Sequence, residues 1–558
     1  MKLRHIYNKF PAKATLFLIT ATGISVAATN PNLSDNVSGI VRSFRAIYTI
    51  TTNVVDYKYS LRGLPLESDQ YHRKLSEVHL RSAKRLLRLC ETNKGFYVKA
   101  GQFVAAMRQV PPEYSTTLSS LQDKAVPCDF KPIKEVIVRN LGQELSDIFL
   151  SFDEKPIAAA SIAQVHRAVL KDDQEVAIKV QYPGLQKQMK IDITTMDFLS
   201  NAIAWIFPEY RFGWMVSEFG RTISFELDFI QEAKNSERTA KAFKHNKMVR
   251  VPHVFWELTR SQVLTMQFCS GHKVDDLGCL KEAGINPTKV AKALVEVFAE
   301  MIFVHGFLHG DPHPGNILVS PAGRNGFFLV LLDHGIYKEL SEEFRLEYCQ
   351  LWNALILLDS KKIEILGERF GVGRYSRYFP VIFTGRTIDS KSALGRGMSD
   401  EEKKNLKMEV KSLKMEDISS FMESLPPDFL TILRTDGLLR SIISKLGAPQ
   451  RIRLLAYAKY SVYGLWTKSN PESVKSQLVR TGSKVKLTAY TVYSNSTDKY
   501  VTSRFKSIFS YIQLKLFLEF LELTSQMRDL QFLVMHKLKQ FLFGAVQLLK
   551  GGHFLSAL

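Results

Sequence analysis

The densest run of chemically capable side chains is His309-Gly310-Asp311-Pro312-His313-Pro314-Gly315-Asn316. It is followed by apolar Ile317-Leu318-Val319 and, after a turn, by Phe328 to Leu332 leading into Asp333-His334-Gly335. Asp311 stands five residues before Asn316, and Asp333 stands 17 after it. Phosphoryl transfer uses such a set: one Asp accepts a hydroxyl proton or orients the nucleophile, while an Asn oxygen and a second Asp hold Mg²⁺ on nucleotide phosphates. Hard oxygen ligands suit that hard cation. His309, His313 and His334 invite a metal-hydrolase reading, but no partner lies at zincin spacing, and His309 is expected to anchor the loop.

Upstream, Val176-Ala177-Ile178-Lys179-Val180 sets a single Lys in an apolar strand. A buried Lys needs an anionic partner; Glu232 is the candidate, the two together fixing the α- and β-phosphates. In a regular helix Asp228 and Glu232, four apart, share a face, and Glu226 points elsewhere.

Elements of two kinds must position these groups. Before Leu150 the pattern is helical, with an amphipathic run at 71–93 ended by Lys94-Gly95 and another at 133–140 closed by Leu141-Gly142. The texture then changes to strands at 152–158, 163–170 and 175–181, with a hairpin turn at 171–174, which predicts a small antiparallel sheet carrying Lys179. A helical stretch from 184 to about 245 precedes two more strands at 251–257 and 262–268. Asn286 as N-cap and Pro287 at the first helical position open an apolar helix over 288–304, and beyond it the chain is mostly helical. Residues 385–417, rich in Lys, Glu, Ser and Asp, read as a solvated insertion.

Together these residues resemble the aarF/UbiB family of atypical protein-kinase-like proteins, above all its animal mitochondrial aarF-domain-containing kinase branch. Lys99-Ala100-Gly101-Gln102 is similar to the K-x-G-Q signature, and Ala158-Ala159-Ala160-Ser161 to the alanine-rich loop that replaces the kinase glycine loop. Glu226-Leu227-Asp228 is similar to the E-x-D motif, with Glu232 at the helix-C glutamate; the match runs in order over residues 75–357. The resemblance implies an α+β, two-lobed protein-kinase-like fold: a small antiparallel-sheet lobe and a mainly helical lobe, with helical N-terminal and C-terminal extensions. It implies ATP or ADP with Mg²⁺ in the cleft, and nucleotide contacts from Ile157, Ala158, Ala159, Ala160, Ser161, Val165, Lys179 and Glu232. Asp311 becomes the catalytic-base equivalent, Asn316 and Asp333 the metal ligands, and Lys99, Gln102, Glu226 and Asp228 a regulatory set. The helix bearing Lys99 and Gln102 would lie over the site, where Lys99 meets Glu226 or Asp228 and a protein substrate is excluded. From the local pattern alone, Lys99 and Gln102 read as capping residues near Gly101, and it is the resemblance that makes them functional candidates.

Three departures from ordinary kinases sharpen this expectation. Gly310 stands where H-R-D has Arg, which removes the cation that would pair with an activation-loop phosphate. About seven residues separate Asp333 from a helix capped at Ser341, and no A-P-E follows, which leaves little room for peptide docking. The alanine loop lacks glycine's backbone freedom. The expected activity is that of an atypical kinase or ATPase with an unknown small-molecule, lipid or protein acceptor, supporting mitochondrial membrane, lipid or quinone homeostasis. The alternative is a catalytically silent nucleotide-binding membrane scaffold.

Composition frames these choices. With 558 residues, 45% hydrophobic and 23% charged, the chain has material for a large core and excludes global disorder, collagen and coiled-coil rods. The formal net charge of +20 calls for an acidic partner. Residues 440–558 carry 18 Lys+Arg against 5 Asp+Glu, and apolar residues recur there at three- and four-residue spacing from Phe509 to Met527. A basic amphipathic helix of this kind can lie on an anionic membrane surface or pack on the preceding domain. Nucleic-acid binding is set aside because the aromatics follow a helix stripe. The N-terminus is basic and acid-free until Asp35, which reads as mitochondrial targeting with a secretory signal as the alternative. Five scattered cysteines without a C-x-x-C pair argue against a disulfide framework. The expected division is a targeting or anchor segment at 1–35, a helical extension at 36–149, a kinase-like N-lobe at 150–268, a helical C-lobe at 269–470 and a basic amphipathic region at 471–558.

Overall fold

The computed structural model describes residues 33–466, apart from short stretches at 66–67, 107–109, 123–126, 207–212, 324–325, 391–393, 395–396, 413–419 and 422–423, together with the isolated helical positions Leu516, Met527, Gln531 and Met535. Nearly all of the expected targeting segment and basic C-terminal region lies outside the described residues.

In chain order, α1 (Leu33–Ser60), α2 (Asp69–Asn93), α3 (Phe96–Ala106), α4 (Pro112–Leu118), α5 (Phe130–Leu141) and the single turn α6 (Leu145–Ile148) precede four strands. These are β1 (Phe149–Phe152), β2 (Ala158–Ala159), β3 (Ala163–Leu170) and β4 (Glu175–Gln181). Helices α7 (Leu185–Ile206), α8 (Gly213–Glu226) and α9 (Phe229–Ala242) lead to β5 (Val249–Arg250), β6 (Val263–Gln267) and β7 (His272–Lys273). After α10 (Leu277–Glu282) and α11 (Pro287–Glu300) come β8 (Phe307–His309), β9 (Ile317–Ala322), β10 (Gly326–Leu331) and β11 (Tyr337–Glu339). Helices α12 (Glu342–Leu357), α13 (Ser360–Arg369), α14 (Asp400–Ser412), α15 (Pro427–Lys445) and α16 (Arg451–Trp466) complete the described chain.

The smaller lobe is a five-stranded antiparallel sheet in the order β1-β3-β4-β6, with β2 paired to β3. Its β4 strand is buried on both faces, and the period-2 rule assigns each face. Val176, Ile178 and Val180 pack with Ile133, Val136 and Ile137 of α5. Ala177 turns the other way, with Leu264, Met266, Phe229, Ala233 and Phe96, so the α3 extension and α9 close the opposite face. Lys179 shares that second face by alternation. Ala158, Val165, Lys179 and Leu264 are successive register partners across β2, β3, β4 and β6, which sets them in one row.

The larger lobe is mainly helical, built around α11, α12, α15 and α16 with a single large core that also takes in β9 and β10. Small sheets carry the central loops: β9 and β10 form a hairpin flanked by β7 and by β5, which runs parallel to β10, while β8 pairs with β11. Asn286 caps α11 through its side chain, with Pro287 following, as the sequence predicts. At Gly464 a Cβ would run into the Phe303 carbonyl oxygen and come within 2.9 Å of Cys349 Sγ, so α16 approaches the helical turn Met301–His305 that follows α11 at hydrogen-only distance.

Several boundaries differ from the sequence expectation. The strand expected at 152–158 is two pieces, β1 and β2, separated by the irregular, bent segment 153–157. Residues 251–257 form no strand; a lone bridge at Val254 and a 3-10 turn at Trp256–Leu258 replace it, and the pairing segment is Val249–Arg250. The expected continuous helix over 184–245 breaks at Leu227 and Asp228, because Asp228 is extended and caps α9 by accepting from Ile230 N. The 385–417 segment is not wholly solvated. Arg386 is buried and donates to the carbonyls of Leu355 and Ile356 at 2.8 and 3.1 Å, and Leu394 is buried too, whereas α14 is polar and mostly exposed.

Candidate nucleotide and phosphoryl-transfer site

Three of the groups on which the sequence reading turns, Lys179, Glu232 and Asp333, come into direct contact. Lys179 Nζ lies 2.7 Å from Glu232 Oε1 and 2.9 Å from Asp333 Oδ2, and stands over the Phe229 ring. Burial works against the Lys179 ammonium, but the Asp333 and Glu232 carboxylates outweigh it and hold its pKa above the ordinary lysine range. Glu232, in the first turn of α9, is pushed up to about 7: burial drives the rise, Asp333 adds to it, and Lys179 opposes it. Its Oε1 also accepts from His334 N at 3.4 Å, while its Oε2 is buried without a hydrogen-bond partner. Asp333 keeps a low pKa despite burial because Lys179 and the Gly335 amide, at 2.9 Å from Oδ1, stabilise its charge.

Asp311 and Asn316 sit on one loop between β8 and β9. The Asp311 amide donates to His309 Nδ1 at 3.0 Å, and its carbonyl accepts from His313 N at 2.7 Å and Asn316 Nδ2 at 3.1 Å. His309 is fully buried and anchors this loop, as expected; burial lowers its pKa and favours the neutral ring. His313 accepts from Gly315 N, and His334 is bonded to Tyr337 and the Leu331 carbonyl. All three histidines thus serve loop architecture, and among the described residues no group of three metal-binding side chains gathers.

The residues present suit a phosphate-bound Mg²⁺. Asn316 spends its amide nitrogen on the Asp311 carbonyl, so Oδ1 is the atom that could serve a metal, and the Asp333 carboxylate remains partly exposed. Such a pair supplies some of the oxygens of a site that nucleotide phosphates and water complete, as Mg²⁺ prefers.

Lys99, on α3, reaches into this cleft. Its ammonium lies 3.0 Å from Glu226 Oε1 and 3.9 Å from Asp311 Oδ2. Glu226 and Asp311 overcome the effect of burial and raise the Lys99 pKa, while burial raises that of Glu226. The regular-helix expectation for Glu226 and Asp228 is therefore reversed. Because the helix breaks between them, Glu226 ends α8 pointing inward, and Asp228 is an exposed N-cap. Gln102 does not join the charged cluster; its amide donates to the Leu121 carbonyl at 2.9 Å and ties α3 to the turn after α4. Nor does Gly101 cap a helix. It lies inside α3, where a Cβ would collide with Leu121 and come within 3.1 Å of Cys90 Sγ.

Ile157, Ala158, Ala159, Ala160 and Ser161 form the β2 turn at the rim of the sheet. Ile157 is exposed; its amide bonds the Val165 carbonyl and that of Ala160 bonds the Ala163 carbonyl, each at 2.8 Å. Val165 stands beside Lys179 in the row already described. None of these residues touches the carboxylate cluster through a hydrogen bond or ion pair among the described residues; Ala158 and Val165 share its lysine's row across the sheet.

One neighbour escaped the sequence reading. Arg434, on α15, lies 3.6 Å from Asp311 Oδ1 and places its guanidinium over the Phe103 ring, 5.2 Å from the centroid. No local motif marks it, since it comes from a helix 123 residues downstream of Asp311.

A family profile for the ABC1 atypical kinase-like domain matches residues 120–366. AarF domain-containing protein kinase 1 from Mus musculus is 39% identical over 446 residues, covering 78% of this chain and 85% of that protein. The chain belongs to the ABC1/AarF atypical kinase family. The probable serine/threonine-protein kinase abkD of Dictyostelium discoideum is 38% identical over 463 residues, covering 81% of this chain and 66% of that protein. A solved structure, the complex of Rv3197 with erythromycin from Mycobacterium tuberculosis, aligns with a TM-score of 0.46 and 23% identity, covering 71% of this chain and 99% of that one. Family membership and the two-lobed α+β architecture agree with the resemblance drawn from the motifs.

Proposed function

We propose that this family member binds ATP or ADP with Mg²⁺ in the cleft and turns the nucleotide over, as an ATPase or toward a small-molecule or lipid acceptor. The observation that carries this reading is the placement of Lys179 Nζ within 2.9 Å of both Glu232 and Asp333, the Asp311–Asn316 loop standing alongside. Lys179 would hold the α- and β-phosphates, Asn316 and Asp333 the metal, and Asp311 would orient or deprotonate the attacking group. When bound, Mg²⁺ offsets negative charge on the phosphates. The Ile157–Ser161 turn and Val165 would cover the nucleotide.

Lys99 supports a non-peptide acceptor, because α3 fills space next to Asp311 where a peptide hydroxyl would have to enter. The same contact favours a second reading, a silent nucleotide-binding scaffold. Mg²⁺-dependent turnover by the full chain and by Asp311→Asn decides: a clear loss in the variant supports chemistry, and identical rates support the scaffold. A role at a mitochondrial membrane, in lipid or quinone homeostasis, is supported by the basic amphipathic pattern of residues 440–558 and the acid-free N-terminus. The form proposed is a surface attachment by the basic amphipathic region; among the described residues no helix is long and apolar enough to cross a membrane.

A further inference from the structure

The Asp311 backbone is fixed by three hydrogen bonds, yet among the described residues its carboxylate accepts none; two cations flank it at ion-pair distance. Lys99 is shared, and it lies closer to Glu226, at 3.0 Å, than to Asp311, at 3.9 Å. Arg434 is undivided: at 3.6 Å from Oδ1, it has no other carboxylate partner among the described residues. Its Nε is buried without a hydrogen bond, and its guanidinium rests on buried Phe103. The loop itself cannot supply a cation one residue earlier. A Cβ on Gly310 would lie 2.8 Å from Ile336 Cγ2, just before β11, so a side chain at 310 would have to displace Ile336, while Thr431 Cγ2 of α15 lies at ordinary contact distance, 3.6 Å.

The helix that carries Arg434 is well held. Phe429, Ile432, Thr435, Asp436 and Leu439 are buried in the larger lobe, and Asp428 at its start pairs with Lys338 at 2.7 Å. Thr431 and Arg434, three apart, share the face toward the loop, the first against Gly310 and the second against Asp311.

We infer that Arg434 is a positioning residue for the reaction: it sets the rotamer of the Asp311 carboxylate from α15, and through Phe103 it links that orientation to the seat of α3. Of the two cations beside Asp311, Lys99 is shared with Glu226, whereas Arg434 is given to Asp311 alone among the described residues. This rests on the reading that the cleft turns over Mg²⁺-nucleotide.

The test uses the full chain with Arg434→Gln and Arg434→Lys. In Arg434→Gln, turnover should fall about ten- to a hundredfold, the scale expected when a catalytic group is misplaced by about 1 Å. The nucleotide Kd should stay within about twofold, because Lys179, Asn316 and Asp333 are untouched. Arg434→Lys should recover part of the rate. Hydrogen exchange should rise over 309–317 and 96–106 in Arg434→Gln alone. Wild-type turnover in Arg434→Gln overturns the inference, as does a loss of nucleotide affinity equal to the loss of rate. A wild-type chain that binds nucleotide without turning it over contradicts the proposed chemistry instead; Arg434 is then judged by exchange, where unchanged protection of 309–317 overturns its positioning role.

Discussion

Replacing Lys99 by Met tests whether the charged contacts over the cleft are as tightly coupled as their geometry implies. Glu226 is 6% exposed, and Lys99 at 3.0 Å is its only ion-pair partner among the described residues. Breaking a buried pair by removing one member costs about 3–5 kcal/mol, because the other charge is left uncompensated. Partial exposure of Lys99 puts the expected loss near about 3 kcal/mol. The pH dependence has a definite sign. Burial raises the folded pKa of Glu226, with Asp333 and Asp311 adding to it and Lys99 opposing. A carboxyl with a raised folded pKa contributes its full stability below the unfolded value and loses it as pH rises through the folded value. Without Lys99 the rise is larger, so the Lys99→Met penalty should grow between about pH 5 and about pH 8. Urea midpoints of wild type, Lys99→Met, Glu226→Gln and the double variant, at both pH values, measure this cycle. The double variant should recover most of the loss at the higher pH, because no buried charge is stranded. A Lys99→Met penalty that is the same at both pH values, with no rescue by Glu226→Gln, would refute the coupling.

Other consequences follow from close packing and from the ligand set. Gly101→Ala should destabilise by about 1–3 kcal/mol through overpacking against Leu121 and Cys90, read as a lower thermal midpoint; a midpoint equal to wild type would contradict the close seating of α3. Gly464→Ala should cost a similar amount, about 1–3 kcal/mol, because the Phe303 carbonyl and Cys349 occupy the space, and an unchanged urea midpoint would argue against that contact. Asn316→Ala should raise the Mg²⁺ concentration needed for nucleotide binding while leaving metal-free affinity alone; an unaltered Mg²⁺ dependence removes Asn316 from the ligand set.

The sheet and the central loops were legible because their signals are local. Alternation in 163–181 marks β3 and β4, and Asn286-Pro287 marks the start of α11. Grouping Lys179, Glu232, Asp311, Asn316 and Asp333 needed motif order rather than periodicity, since nothing in a strand pattern says where a lysine's partner lies. The misreadings have physical causes. The residue string alone places Asp228 on a helical face, whereas its capping geometry breaks that period. Residues 251–257 look like a strand by composition, but their edge finds only one bridge, at Val254, and the neighbouring Val249–Arg250 pairs elsewhere. Arg386 and Leu394 sit in a polar stretch whose average hides two anchors. Arg434 was out of reach, because its approach to Asp311 comes entirely from how α15 packs across the loop.

The central claim is that Lys179, Asp311, Asn316 and Asp333 serve one magnesium-loaded nucleotide. Calorimetric titration of Mg²⁺-ATP into the full chain and into Lys179→Met, with circular dichroism to verify the variant's fold, tests it most directly. Saturable binding by wild type, weakened by more than about tenfold in Lys179→Met, is the expected result; equal affinity in a folded variant, or no binding by wild type, would contradict it.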